Sequence, residues 1–211
     1  MDRLVYRFNN SGCEDDVISD LIQWACVGLI VVASLLFLYD LEWQLNAIAL
    51  GMQYFCVFIL LMVFWPANMA GSYFVSGWVS ILILTITLNI RTGGQIIQVN
   101  FLSFAKAFHL FAGLLVLLVI ISSYSSITAW FPSATSALLV SALSMIMIGF
   151  LTVAVATTIE RTIFSLLSIF SGFQIAFTQV DNSVMMVLLI CIIMLSMSLI
   201  GSYYILAEGR Q

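Results

Sequence analysis

Charge is what this sequence lacks most. Of its 211 residues only 6 are Lys or Arg, 10 are Asp or Glu and one is His. Soluble domains carry about 25% charged residues, so a fold in water is excluded. With 63% hydrophobic residues and a mean hydropathy of +1.17, the chain reads as an integral membrane protein. There is no cluster of basic residues and the net charge is −4, which removes the electrostatic attraction that nucleic-acid binding needs. No nucleic-acid partner is expected. The single histidine, His109, rules out bis-histidine haem ligation within the chain, and no CxxC pair stands beside it; neither a metal nor a cofactor is expected.

Catalytic constellations are missing too. No G-x-S-x-G occurs, His109 has no acidic partner at its depth, and Gly93-Gly94 is a lone glycine pair rather than a phosphate loop. A retinal pigment needs a lysine deep in its last span, and Val184 to Leu206 holds none. No enzyme is expected. Cys26, Cys56 and Cys191 lie in apolar runs and only Cys13 lies in a polar segment, so no disulfide framework is read. The segment before the first apolar run carries Glu14, Asp15, Asp16 and Asp20, the opposite of a basic signal-peptide start. The first run is therefore expected to stay as a span, and the acidic cluster is read as a solvated lead into it.

What is present is a series of apolar runs. A spanning helix needs about 20 apolar residues, and runs bounded by charges, prolines and polar clusters predict spans at 21–39, 44–65, 69–90, 102–126, 134–157, 162–179 and 184–206. The expected fold is all-α, a polytopic transmembrane bundle of about seven spans. Residues 1–20 form an extramembrane segment, 21–130 a four-helix region and 131–211 a three-helix region. Ser19 and Asp20 are read as the start of the first helix. Pro66 lies in a turn so short that spans two and three must be antiparallel neighbours, and Arg91 to Asn100 is the longest internal connection. Tyr39, Trp43, Trp65, Trp130, Tyr203 and Tyr204 fall near span ends, where aromatic rings settle at headgroup level. Seven spans put two basic residues (Arg3, Arg7) on the N-terminal side and four (Arg91, Lys106, Arg161, Arg210) on the other. The positive-inside rule then sets the N-terminus outside and the C-terminus in the cytoplasm; a bacterial inner membrane is the expected location.

Ionisable groups at membrane depth mark function by default. Lys106 and His109 project from one face of span four, three residues apart, and could pass a proton. Equally, Lys106 can snorkel to the headgroups while His109 bonds a carbonyl. Gln53, Thr85, Thr87 and Gln174 are neutral polar groups at depth, each able to tie helices together, and Gln53 and Gln174 could alternatively line a path with Lys106 and His109. No Asp or Glu lies mid-span, which argues against an autonomous ion pump. Small residues recur on two faces: Ser133, Ala137, Ser141 and Gly149 on span five, and Ser165, Ser168, Ser171 and Gly172 on span six. In lipid such faces let backbones approach, so these two spans are expected to pack closely, on each other or on a partner.

Three segments carry a resemblance: Ile148-Gly149-Phe150-Leu151, Glu160-Arg161-Thr162-Ile163-Phe164-Ser165 and Phe170-Ser171-Gly172-Phe173-Gln174. The last three spans resemble the K subunit of respiratory complex I and its Mrp-antiporter relatives. The whole chain is similar to component E of hydrogenase-4-type complexes, in which four helices precede a K-like trio. Arg161 matches the family's basic turn and Gly172 its close-packing glycine, but its buried glutamate is absent. The nearest substitutes, Phe170 and Gln174, cannot exchange a proton. The resemblance implies a non-catalytic membrane subunit that contacts antiporter-like or hydrogenase-like chains and lipids. The competing expectation is a small stand-alone transporter or channel built on Lys106, His109, Gln53 and Gln174.

Overall fold

The computed structural model describes residues 2–39, 43–63, 65–92, 104–128, 136–179 and 184–208, with side chains described from 20 onward in the first helix and for 108–123 in the fourth. The protein is an all-helical bundle. Among the described residues seven helices follow one another: α1 (Asp2–Leu38), α2 (Trp43–Met62), α3 (Ala67–Thr92), α4 (Phe104–Thr128), α5 (Ser136–Val155), α6 (Ile159–Thr178) and α7 (Val184–Glu208). Only helices satisfy every backbone amide within one segment, which is why an apolar chain without edges to close adopts them in lipid.

Among the described residues, six helices are long and apolar enough to cross a membrane, α1 contributing Asp20–Leu38. The apolar part of α4 among those residues, Phe108–Ser123, is shorter. It nevertheless traverses the bundle. It follows α3, whose end pairs with the end of α7, and it precedes α5, whose far end leads into Arg161 beside the end of α1. Helix α4 must connect opposite ends.

The helices form two layers. In the first, α1 packs on α2 and α2 on α3; in the second, α5 packs on α6 and α6 on α7. The layers stack with α1 on α5, α2 on α6 and α3 on α7, each pair running in the same direction, while α4 lies at one edge against α5 and α1. A continuous core passes through both layers, from Ile30 and Phe37 through Leu50, Tyr54 and Tyr73 to Phe164 and Met194. Lipid chains are as apolar as leucine, so what holds this core is close packing rather than exclusion of water. Of the six long apolar helices α6 is the most enclosed and α7 the least, with Met185, Leu188 and Ile192 facing outward.

Two boundaries differ from the sequence expectation. The first helix does not start at Ser19-Asp20 but runs back to Asp2. No proline interrupts residues 2–20, and each added helical residue gains a hydrogen bond once the span has nucleated the turn. Helix α2 ends at Met62, short of the expected Trp65, whose ring is buried and whose amide donates to the Leu61 carbonyl at 2.8 Å. Pro66 then opens α3, its carbonyl accepting from Met69 and Ala70. As a residue with no N–H to satisfy, it suits that position.

Candidate functional site

Polar side chains inside a membrane protein require partners, because hydrocarbon supplies none. Following those partners divides the buried polar groups into separate sets.

Gln53 lies on α2, fully buried, and its Nε2 donates to Ser34 Oγ of α1 at 2.7 Å. Ser34 in turn donates to the Ile30 carbonyl at 2.8 Å. The other end of the Gln53 amide, Oε1, has no hydrogen-bond partner among the described residues. Gln174 is buried on α6 with Oε1 in the same condition. His109 lies on α4, half-buried, with Nδ1 unpartnered and its ring edge-on to Phe108. One turn on, a Cβ at Gly113 would lie 2.8 Å from Leu38 and 2.9 Å from Leu35, which sets His109 level with the C-terminal end of α1 rather than mid-membrane. The side chain of Lys106 lies outside the described residues, as does Ser133. The four residues of the conjectured path thus sit on α2, α4 and α6, and among the described residues α4 packs chiefly against α5 and α1.

Helices α5 and α6 approach each other closely at their glycines. Ala137, Ser141, Gly149, Ser165, Ser168, Ser171 and Gly172 are all buried within the chain. A Cβ at Gly172 would come within 3.0 Å of the Ala142 carbonyl, and one at Gly149 within 2.5 Å of Ile169 Cγ1. The serine hydroxyls are satisfied locally: Ser141 donates to Leu138, Ser165 to Arg161 and Ser171 to Leu167, all to carbonyl oxygens of their own helix. Gly149 and Gly172 therefore serve close backbone approach, while the hydroxyls of Ser141, Ser165 and Ser171 are spent within their own helices.

Sequence reasoning passed over two tyrosines at the layer boundary. Tyr54 of α2 and Tyr73 of α3 are completely buried, with ring centroids 5.7 Å apart in an edge-on arrangement. Both hydroxyls approach the Ser171 hydroxyl of α6 without closing a hydrogen bond. Nearby, Ser198 of α7 donates to the Ser80 carbonyl of α3 at 2.8 Å. Tyrosine favours the membrane interface, so one placed mid-run, as Tyr54 is, was the available signal.

Arg161 is the buried cation of the described spans. Its guanidinium Nη2 donates to the carbonyls of Phe37 at 3.0 Å and Leu38 at 2.9 Å. These belong to the last turn of α1, where carbonyls lack intrahelical partners and carry the negative end of the helix dipole. Arg91 and Glu208 form an ion pair of 3.2 Å at the ends of α3 and α7.

Chemically the interior offers amide and hydroxyl groups for hydrogen bonding and no carboxylate at mid-depth among the described residues. No group of three His, Cys, Asp or Glu able to hold a metal occurs among them either. Comparison with protein-family models, curated proteins and solved structures returns no match for this chain.

Proposed function

We propose that this chain is a non-catalytic integral membrane subunit of a multi-subunit complex of the complex I, hydrogenase-4 or Mrp antiporter type, with a structural role in holding neighbouring subunits. The observation that carries the reading is the use of Arg161. The basic residue that links the chain to that family is committed to the last carbonyls of α1, a structural clamp rather than a station for a moving ion. His109, on α4 at the edge of the bundle, stands apart from Gln53 and Gln174 on the packed helices α2 and α6, which supports the same reading over a stand-alone transporter. With α5 and α6 spent on each other, partner contacts fall to the outward apolar surfaces of α4 and α7. In this reading the N-terminus faces outward and the C-terminus the cytoplasm.

The test is purification of the tagged chain from its native membrane in mild detergent, with mass spectrometry of what accompanies it in stoichiometric amounts. Antiporter-like or hydrogenase-like chains are the expected companions. A single monodisperse chain that takes up a solute in vesicles overturns the proposal.

A further inference from the structure

Helices α2 and α3 press together near their middles and leave a gap toward the start of α2 and the end of α3. They meet at Gly77, where a Cβ would lie 2.8 Å from the Tyr54 ring, and they separate toward Trp43 and Asn89. The gap between them is a trough of about 660 Å³ on the outer surface of the bundle. Its walls are apolar, with Ile48, Met52 and Ile86 all more than half exposed. Gly51 forms its floor. A Cβ there would meet only Ile81 Cδ1, at 3.9 Å, so no tight helix contact demands this glycine, and its missing side chain leaves the trough open.

The two ends differ in chemistry. At one, Trp43, Gln44 and Asn89 gather polar groups in the first turn of α2 and the last turns of α3. At the other, Phe55 and Trp78 close the trough, backed by Phe74 and Phe58, with centroid distances of 6.3 Å (Phe55 to Phe74), 4.9 Å (Phe58 to Phe74) and 5.7 Å (Phe74 to Trp78). From Trp43 to Phe55 the helix advances about 18 Å at 1.5 Å per residue. That is close to one leaflet of a hydrocarbon core about 30 Å thick. A partner's spanning helix needs a groove along the whole core, and the aromatic wall denies it. A single chain from one leaflet fits, apolar along its length and polar at its head.

We propose that this trough is a binding site for one membrane phospholipid, its acyl chain lying over Gly51 and its glycerol and headgroup region at Trp43, Gln44 and Asn89. The site rests on the membrane location and is independent of the subunit reading. Arg91, two residues beyond Asn89, is already paired with Glu208, so the headgroup is held by neutral hydrogen-bonding groups rather than by a cation.

The test is native mass spectrometry of the full chain after extensive detergent washing, beside tryptophan quenching by a phosphatidylcholine brominated on one acyl chain. Wild type is expected to retain one phospholipid, and Gly51→Leu, which fills the floor, to retain about tenfold less. Ile86→Trp fills the trough from its exposed wall and gives the same loss without touching the core. Quenching is expected to saturate at one brominated lipid per chain and to shrink when Trp78 is replaced by Phe. Equal retention in wild type and both filled variants overturns the proposal. So does quenching that rises steadily with lipid, as for an unselective annulus, or crosslinking of Met52 to a partner subunit's helix.

Discussion

Arg161 Nη2 lies 2.9 Å from the Leu38 carbonyl oxygen, joining the start of α6 to the end of α1 across 123 positions of sequence. Hydrogen bonds to a charged donor contribute about 1.5–3 kcal/mol each, and removing the arginine strands carbonyls at a buried helix end. Arg161→Leu is therefore expected to lower stability by about 2–3 kcal/mol. Arg161→Lys keeps the charge without the planar fork and is expected to recover part of the loss. Thermal unfolding followed with a thiol-reactive dye reads this directly, because Cys26 and Cys56 are buried free thiols that unfolding exposes.

Gly172 is a position where a single methyl group matters. Its added Cβ would meet the Ala142 backbone carbonyl and Met145 Cβ, each at 3.0 Å, and neither can swing aside as a flexible side chain would. Gly172→Ala is expected to cost about 1–3 kcal/mol through forced separation of α5 and α6. Gly51→Ala faces open space and is expected to be neutral or to gain up to about 1 kcal/mol from helix propensity. The two unfolding curves, measured side by side, separate a packing glycine from a groove glycine.

The bond from Gln53 to Ser34 is a clean pair for a double-mutant cycle. Interhelical hydrogen bonds in membranes average about 0.6 kcal/mol, so Ser34→Ala and Gln53→Leu together are expected to cost less than the sum of the two single changes by roughly that amount. Strict additivity would show that the pair does not couple α1 to α2.

Tyr54 and Tyr73 bury hydroxyls that gain no hydrogen bond in return. Replacing either with Phe removes a desolvated polar group while keeping the ring packing, and the expected change is neutral to stabilising, up to about 1 kcal/mol. A loss of more than about 1 kcal/mol in Tyr73→Phe would mean that the hydroxyl is satisfied in the membrane, by water or by Ser171.

Much of this architecture was legible in the residues. Pro66, Arg91, the Glu160-Arg161 pair and the apolar runs between them mark helix ends within a few positions, since charge and proline are costly inside a span. The spacing of Ala137, Ser141 and Gly149 identified a face but not its neighbours, and Gly149 packs on Ile169 of α6 in the same chain. Other features needed coordinates. Nothing local tells Arg161 to reach the end of α1, because that contact depends on how two distant helices stack. The α2 and α3 trough is likewise invisible in sequence, since an opening is a property of helix divergence, and Gly51 reads the same whether it packs or leaves room.

Helix α4 touches little of the core, yet it decides how the rest can be assembled. Three antiparallel helices leave the chain on the side opposite its entry. One further crossing brings it back, so α5, α6 and α7 pass through the bilayer in the same up and down order as α1, α2 and α3. Only then can α1 lie parallel to α5, and α3 to α7, with Arg91 meeting Glu208 at a shared end. The contribution of α4 is thus one of parity. Any sequence that crosses once would satisfy it, whereas shortening α4 until it no longer crosses would invert the whole second layer and move Arg161 to the opposite face from the α1 carbonyls it clamps.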